Sequence, residues 1–379
     1  RDVAPSRGLG DVIRDRSLSI LLKGQLGFLN DYYEVVGIAS GKENLKVVEE
    51  REGIRVIDVP MRREIAMVAD VVSLFRLIRL FYRERPYIVH ANTPKASLLS
   101  MIAAWITRVP HRIYTVTGLR FETATGKFRR LLVGMEKITC WCATKVIPEG
   151  EGVKKTLMAN RITRKPLKVI LNGNINGIDI DYFNREAVLA DEVEKLRVSG
   201  CYTFVFVGRL VRDKGIRELV RAFSKLYRQY KHIRLFVVGG LEQKLDSLDE
   251  ETLTLLQKHE AIYAVGFQQD IRPYLAASDA LVFPSYREGF PNVVLQAGAM
   301  GLPAIVTDIS GCNEIIQNGV NGIIIPSRDE NILYEAMEWF YEHQHEEIKE
   351  MAKHARPIIS ERYESHKVWE ALLKEYQSL

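Results

Sequence analysis

Cysteine is scarce in this chain, and long hydrophobic runs are absent. Only four of the 379 residues are cysteine. Cys140 and Cys142 are the two that lie close together, at a spacing that fits neither a zinc site nor a redox motif. We therefore expect reduced thiols, as in cytosolic enzymes. No apolar run is long enough to span a bilayer, and the first sixteen residues are too polar and charged for a secretory signal.

Several functional signatures are also missing. No Gly-x-Gly-x-x-Gly follows a first strand, which argues against a nucleotide-cofactor oxidoreductase. No nucleic-acid-binding module and no tandem repeat are evident. We expect no cofactor, no resident metal ion and no nucleic-acid partner.

The charge is distributed unevenly along a chain long enough for two domains. Residues 1–180 contain 30 Lys and Arg against 18 Asp and Glu, a net charge of +12. The remaining residues contain 23 against 30, a net charge of −7. This asymmetry indicates that the first half faces an anionic partner, such as a membrane surface or a phosphorylated acceptor.

Short β-rich runs alternate with longer helical patterns in both halves. This alternation predicts an α/β fold, with parallel sheets and crossover helices in two doubly wound domains. The predicted strands are 33–39, 54–59, 88–91, 112–116, 144–148, 168–171, 203–207, 234–238, 261–265, 280–284, 304–306 and 322–325. The predicted helices include 17–29, 68–83, 96–106, 128–140, 216–230 and 293–300. Residues 12–14 make a poor first strand.

A run of turn-forming residues at 172–179 is the best candidate linker. We therefore expect an N-terminal domain at 1–178 and a C-terminal domain at 179–360. A last helix at about 361–379 is expected to pack back on the first domain.

The second half carries two candidate phosphate-binding cations. Arg209 and Lys214 follow the strand at 203–207, and ligands of open α/β sheets bind beyond the carboxyl ends of strands. Gly208 and Gly215 allow a ligand to approach the backbone closely. A diphosphate suits this pair, because Arg binds phosphate bidentately and Lys acts as a point charge. A solvated basic loop is an equally simple interpretation of the pair alone.

Glu288 lies between a strand and a helix start. Its carboxylate can accept hydrogen bonds from sugar hydroxyls, and free N–H groups at the helix start can hold phosphate oxygens. By itself, Glu288 could equally be an acidic residue that complements the helix dipole. Asn292 and Gln296 follow Glu288 at intervals of four residues, so the two lie on one face of the helix.

Together these blocks resemble the family-four retaining glycosyltransferases of GT-B fold, in which two Rossmann-like domains face each other across a cleft. The resemblance covers the chain from about Ser17. It is carried by the following blocks: Gly208-Arg-Leu, Lys214-Gly, Gly266-Phe267, Ser278 to Ser285, Glu288-Gly-Phe-Pro-Asn292 and Gly301-Leu-Pro303.

The resemblance implies roles for these residues. The catalytic set is His90, Arg209, Lys214 and Glu288, with His90 near the reacting carbon of the donor sugar. The residues implied to bind the donor are Gly208, Phe267, Gly289, Phe290, Pro291, Asn292, Val293 and Gln296. The family has a second acid at the position of Gln296, where it grips the ribose. An amide there is expected to hold ribose more weakly.

The first half is similar to the capsular-polysaccharide and O-antigen subgroup. Its matching residues include His90 at a strand end, Thr93 and Pro94 at a predicted helix start, and Met135-Glu-Lys137. Members of that subgroup act on polyprenyl-diphosphate-linked sugars at the cytoplasmic face of the membrane. The expected acceptor-side residues are Gly24, Thr93, Lys95, Thr117 and Gly118.

The segment 127–141 mixes cations with apolar residues. It fits a helix lying on an anionic bilayer and, equally, a crossover helix with solvated arginines. For the similar segment 75–83 the crossover helix is the preferred interpretation.

The expected reaction moves a hexose or N-acetylhexosamine from a nucleotide sugar, with UDP as the expected nucleotide, to a lipid-linked saccharide. No nucleophile stands in a matching position, so we expect a same-face reaction without a metal ion. Two alternatives remain open: a sugar-nucleotide 2-epimerase of the same fold, and a catalytically weak donor-binding subunit, for which Gln296 is the only indication.

Overall fold

The computed structural model describes residue 18 and residues 21–61, 66–242 and 246–379. The chain divides into two compact units. The first unit comprises Arg1–Glu149, Val153–Gly177 and Ser365–Leu379, and the second comprises Gly150–Gly152 and Ile178–Glu364. The C-terminal helix of the chain therefore belongs to the first unit.

Strands and helices alternate along most of the chain. The strands are β1 (Val36–Ala39), β2 (Arg55–Asp58), β3 (Ile88–Ala91), β4 (His111–Val116), β5 (Lys145–Pro148), β6 (Tyr202–Val207), β7 (Ile233–Val238), β8 (Ile262–Gly266), β9 (Ala280–Phe283), β10 (Ala304–Thr307) and β11 (Gly322–Ile325). The helices are α1 (Gln25–Asn30), α2 (Lys42–Glu52), α3 (Met67–Glu84), α4 (Pro94–Ile106), α5 (Gly126–Cys142), α6 (Glu151–Ala159), α7 (Ala190–Leu196), α8 (Ile216–Gln229), α9 (Glu250–Lys258), α10 (Arg272–Ala276), α11 (Asn292–Ala299), α12 (Cys312–Ile315), α13 (Glu330–Glu342), α14 (Glu347–Tyr363) and α15 (Ser365–Gln377).

All sheets formed by these strands are parallel, so the predicted α/β class is confirmed. The first unit contains a two-stranded sheet, β1-β2, and a three-stranded sheet, β3-β4-β5. The second unit has one six-stranded sheet in the order β11-β10-β9-β6-β7-β8. Its order reverses between β6 and β9, which is the topological switch point where ligands of such sheets bind.

Burial explains why the central strands read as continuous apolar runs. Every residue of β7 is buried, and so are five of the six residues of β6. Strands covered by helices on both faces have this composition. Helix α8 buries Ile216, Leu219 and Phe223 at helical spacing against the core of the second unit.

The predicted strand at 168–171 is wrong. Leu167 makes a single parallel bridge with Val146, and Leu171 adopts a positive φ of 49°. An extended strand cannot continue through a left-handed residue. The chain turns here instead, and an adjoining turn places the Asn174 side chain where it accepts hydrogen bonds from the N–H groups of Asn176 and Gly177, at 3.0 and 2.7 Å.

The N-terminal predictions fall partly outside the described residues. The poor strand at 12–14 lies outside them. Of the helix predicted at 17–29, the structure describes residue 18 and residues 21–29, and α1 begins only at Gln25. Gly24 takes the N-cap position with a φ of 81°, a left-handed geometry that interrupts a regular helix.

No helix within the described ranges combines the length and the apolar character needed to cross a membrane.

Candidate active site

Two loops meet at the switch point of the six-stranded sheet. One follows β6 and contains Gly208, Arg209 and Lys214; the other follows β9 and contains Ser285 and Glu288. Strands β6 and β9 are hydrogen-bonded neighbours, with Phe204 opposite Ala280 and Val205 opposite Leu281. Residues more than seventy positions apart in the sequence are thereby brought to one edge of the sheet.

Lys214 and Glu288 are in direct contact. The Lys214 ammonium binds Glu288 Oε1, and both side chains are 16% exposed. The hydroxyl of Ser285 donates to the same oxygen at 2.8 Å. The Lys214 ammonium also lies 5.3 Å from the ring centroid of Phe283, in the adjoining strand. The half-buried Lys214 ammonium and Glu288 carboxylate therefore lie together beyond the edge of the sheet.

Ser285 is a site residue that the sequence reasoning missed. Its side chain is fully buried, and its backbone carbonyl accepts a hydrogen bond from Thr307 at 2.5 Å. The available signal was its position, directly after a buried strand and three residues before Glu288. A small hydroxyl there orients the carboxylate without filling the space beside it.

Glycine is required where the loop after β6 meets the loop after β9. Gly215 has a φ of 68°, and a Cβ at this residue would lie 2.1 Å from the carbonyl oxygen of Pro284. On the other side of β6, Gly239 has a φ of 153° and would place a Cβ 1.7 Å from the carbonyl oxygen of Gly208. Both contacts are with backbone, which cannot give way as a flexible side chain can. They hold the Lys214 loop against the sheet edge.

Arg209 is more open than Lys214. Its guanidinium is 45% exposed and lies 2.5 Å from the carboxylate of Glu242. The loop that joins it to Lys214 is braced at Asp213, whose carboxylate accepts from Arg287 at 2.9 Å. Each of the two predicted phosphate-binding cations is thus paired with a carboxylate in this structure.

Helix α11 begins one residue earlier than the predicted start at residue 293. The helix begins at Asn292, with Pro291 at the N-cap position, so Gly289 and Phe290 precede it rather than form its start. The Phe290 side chain is buried and packs on Tyr363 with ring centroids 5.6 Å apart. The Phe290 side chain is therefore part of the core of the second unit.

The remaining donor-side residues are spread over the unit. Val293 and Gln296 are half-buried on α11. Phe267 follows β8 and is 51% exposed. Strand β7 separates β8 from β6 in the sheet order, so Phe267 stands two strands away from the switch point.

In the first unit, four of the five predicted acceptor-side residues follow adjacent strands. Thr93 and Lys95 come after β3, and Thr117 and Gly118 come after β4. The Thr117 hydroxyl donates to the carbonyl of Asn92 at 2.7 Å, which joins the two loops. Thr93 is the N-cap of α4, as predicted, although its side chain makes no capping hydrogen bond.

Lys95 and Gly24 have specific partners within the first unit. The Lys95 ammonium lies 2.6 Å from the carboxylate of Asp70. Gly24 donates its N–H to the buried carboxylate of Glu52 at 2.9 Å, and a Cβ at Gly24 would meet the ring of Trp369 at 2.5 Å. The structure therefore gives Gly24 a packing role, with its N–H already bonded.

His90 lies in β3 with both ring nitrogens engaged. Nδ1 is 2.5 Å from the hydroxyl oxygen of Tyr376, and Nε2 is 2.7 Å from that of Thr115. Burial lowers the pKa of His90 to about 4, so the ring is neutral near pH 7. Neither partner was predicted. Tyr376 is 286 residues away in sequence, and nothing in the local pattern points to it.

A parallel sheet in this strand order, with a cation–carboxylate cluster at its switch point, defines an α/β protein of the doubly wound class, whose ligands bind at that edge of the sheet. Comparison with known proteins gives the family. The model for group 1 glycosyl transferases matches residues 201–343. The model for the glycosyl transferase 4-like domain matches residues 30–173.

Two curated relatives match over most of their length. The chain is 33% identical over 362 residues to the capsular polysaccharide biosynthesis glycosyltransferase CapM of Staphylococcus aureus, covering 94% of this chain and 93% of that protein. It is 30% identical over 284 residues to the Escherichia coli UDP-Gal:alpha-D-GlcNAc-diphosphoundecaprenol alpha-1,3-galactosyltransferase, covering 73% and 72%.

Solved structures share the fold. The Anabaena HepE structure in complex with UDP and glucose superimposes with a TM-score of 0.80 at 19% identity, covering 96% of each chain. A HepE complex with UDP-glucose gives a TM-score of 0.78 at 20% identity, covering 93% and 94%. The chain belongs to the group 1, family-four glycosyltransferases of GT-B fold, and within them to the capsular-polysaccharide type.

Proposed function

We propose that this glycosyltransferase moves a hexose or N-acetylhexosamine from a UDP-sugar to a saccharide carried on a polyprenyl diphosphate, at the inner face of the cytoplasmic membrane. The observation that carries the proposal is the cluster at the switch point, in which Lys214 and Ser285 both donate to the Glu288 carboxylate. An ammonium suits a diphosphate, and the adjoining carboxylate suits the hydroxyls of the attached sugar.

In this proposal, each unit binds one of the two substrates. Residues 179–360 bind the donor, and residues 1–178 bind the acceptor. The E. coli relative is named for UDP-Gal and a diphosphoundecaprenol acceptor, and HepE has been solved with UDP and glucose. These names support a UDP-sugar and a lipid-linked acceptor as the substrates of this chain.

The proposed reaction retains the configuration at the sugar's anomeric carbon. The bond from that carbon to the β-phosphate oxygen breaks, and a bond to the acceptor oxygen forms on the same face. The acceptor proton passes to the departing β-phosphate. Arg209 and Lys214 stabilise the negative charge that grows on the diphosphate, so the reaction proceeds without a metal ion. Glu288 holds the sugar hydroxyls, and His90 contacts the sugar near the reacting carbon.

Helix α5 supports a location at the membrane. We define the α5 surface as Lys127, Phe128, Arg130, Leu131, Ile138 and Trp141, together with Trp105 at the end of α4. All seven side chains are exposed, and the two tryptophan rings lie 5.0 Å apart. Helix α5 contains four cations and one acid, the buried Glu136.

This combination fits an anionic bilayer. Tryptophan favours the interface between lipid and water, and interleaved cations bind anionic headgroups. The positive net charge of residues 1–180 favours the same partner.

The proposed function is tested by following the sugar. UDP-sugars with a radioactive sugar are incubated with the enzyme and membrane lipid, and the lipid fraction is extracted. We expect label in that fraction, with an anomeric linkage that matches the donor. A water-soluble epimer with no lipid product would instead indicate the 2-epimerase alternative, and binding without either product would indicate a donor-binding subunit.

Lys214→Ala sharpens this test. Loss of a preorganised charge that stabilises the leaving group is expected to lower kcat by about 10²- to 10³-fold. Arg212→Ala is the matched control, because it removes an exposed cation from the same loop. Near-normal transfer by Lys214→Ala would contradict the diphosphate assignment.

A further inference from the structure

The loop after β7 runs beside the loop that carries Arg209, within the second unit. The pairing of β6 with β7 continues past the ends of both strands, because Leu210 makes a parallel bridge with Leu241. Farther along the same two loops, Asp246 Oδ2 accepts a hydrogen bond from the N–H of Asp213 at 2.7 Å. The backbone is therefore fixed on both sides of the segment that contains Arg209.

This pairing places Glu242 next to Arg209, although the two are 33 residues apart in sequence. The Glu242 side chain is only 16% exposed, and its Oε2 accepts a hydrogen bond from Arg209 Nη1 at 2.5 Å. A guanidinium has five N–H donors on three nitrogens. Among the described residues, Glu242 is the one hydrogen-bond partner of this guanidinium, and it engages a single nitrogen. The other two nitrogens can still bind an oxyanion bidentately.

Two opposing effects of Glu242 on anion binding have to be compared. Arg209 is 45% exposed, and ordering such a long side chain when a ligand binds costs rotamer entropy. A carboxylate that already holds the side chain in place reduces this cost. The same carboxylate repels a diphosphate, but the guanidinium lies between the two charges and water screens an exposed site. The gain from preorganisation is therefore expected to exceed the repulsion.

We propose that Glu242 is a positioning residue for Arg209, which holds one edge of the guanidinium and leaves the other edge for the donor diphosphate. This inference rests on the proposed function, in which Arg209 stabilises the charge on that diphosphate. Glu242 acts on the reaction through Arg209 and not by contact with the donor. The loop after β7 is thereby part of the donor site.

Two substitutions of Glu242 separate its position from its charge. Glu242→Gln keeps an acceptor for Arg209 Nη1, whereas Glu242→Ala removes it. We expect Glu242→Ala to lower kcat/KM for the UDP-sugar by about tenfold, and Glu242→Gln to lower it less. Glu251→Ala should match the parent and is the control, because Glu251 is an acid of the same unit that pairs with an arginine, Arg221.

Binding of UDP, measured by calorimetry, distinguishes positioning from competition. Tighter binding of UDP by Glu242→Ala would show that the carboxylate competes with the diphosphate for Arg209, and it would overturn the proposal. An unchanged kcat/KM in Glu242→Ala would overturn it as well.

The double variant Arg209→Ala/Glu242→Ala excludes a general structural effect. If Glu242 acts through Arg209, its removal has no further consequence once Arg209 is absent, so the two losses are not additive. We expect the double variant to transfer the sugar as slowly as Arg209→Ala does. A further tenfold loss in the double variant would show that Glu242 acts in another way, and the proposal would fail.

Arg209→Ala by itself tests the proposed function on which this inference rests. Near-normal transfer by Arg209→Ala would contradict the role of Arg209 at the diphosphate and would overturn both. Slow transfer by Arg209→Ala, together with normal transfer by Glu242→Ala, would overturn the positioning role of Glu242 alone.

Discussion

Lys214 and Glu288 neutralise each other in this structure. In the proposed function, a diphosphate that binds the Lys214 ammonium competes with the Glu288 carboxylate for the same cation. Once displaced, the carboxylate can accept hydrogen bonds from sugar hydroxyls, while Ser285 keeps it oriented. Recognition of the phosphate and of the sugar is then coupled at a single pair of side chains.

At the same scale, the proposed contact of Gln296 with ribose can be tested. Gln296→Glu introduces the acid that the family resemblance implies at this position, and a hydrogen bond to a charged acceptor is stronger than one to an amide by about 1 kcal/mol. We expect UDP to bind about fivefold more tightly, as measured by calorimetry. Gln257→Glu adds the same charge to an exposed position of α9 and should leave the affinity unchanged. Equal affinities in both variants would show that Gln296 does not touch ribose.

At the scale of single elements, the turn between β6 and α8 depends on Gly215. Gly215→Ala pairs a left-handed backbone, which costs about 1–2 kcal/mol for an alanine, with a clash against Pro284. Gly200→Ala is a matched control, because Gly200 has a φ of 72° and open space where the Cβ would lie. We expect both variants to melt below the parent, and Gly215→Ala to melt lowest and to bind UDP less tightly. Equal melting temperatures would argue against the close approach to Pro284.

Helix α5 buries the carboxyl group of Glu136, and its ionisation can be tested. Burial raises the pKa of Glu136 to about 7, while the Tyr114 hydroxyl donates to it at 3.0 Å. The folded state therefore keeps a proton that the unfolded chain loses above its ordinary pKa of 4.5. Folding is most favoured below that value and weakens as the pH rises to about 7.

Glu136→Gln cannot ionise and should escape this loss. We expect its melting temperature, relative to that of the parent, to be higher at pH 8 than at pH 5. Circular dichroism at the two pH values measures the difference. Glu370→Gln, exposed on α15 of the same unit, should show no such trend. A difference for Glu136→Gln that does not vary with pH would contradict the raised pKa.

At the scale of the whole molecule, the α5 surface predicts binding to anionic lipid. We expect the protein to float with vesicles that contain phosphatidylglycerol, and to bind less in high salt or to phosphatidylcholine alone. The double variant Ile138→Ser/Trp141→Ser should lose most of this binding. Leu189→Ser/Val198→Ser removes two exposed apolar residues from the second unit and is the control.

The alternative occupant of the α5 surface is a second copy of the chain. Sedimentation of the same variants distinguishes the two. A dimer that dissociates in Ile138→Ser/Trp141→Ser, with unchanged vesicle binding, would replace the membrane assignment.

The sequence alone established the alternation of strands and helices. Buried runs such as β6 and β7 and the regular apolar spacing of α8 are local patterns, so they can be recognised without knowing their neighbours. The strand predicted at 168–171 was wrong because the left-handed geometry of Leu171 belongs to a turn, and apolar composition does not reveal it. The blocks around Lys214 and Glu288 were also visible in the sequence, together with the family they resemble.

Only the tertiary structure decided which of these residues meet. Strand β6 neighbours β9 because of how the whole sheet is ordered, and this pairing brings Lys214 and Ser285 to the same carboxylate, that of Glu288. The contact of Tyr376 with His90 depends on where the last helix packs, 286 residues along the chain. Local patterns determine elements because their forces act between nearby residues. The site depends on long-range packing, which no window of the sequence contains.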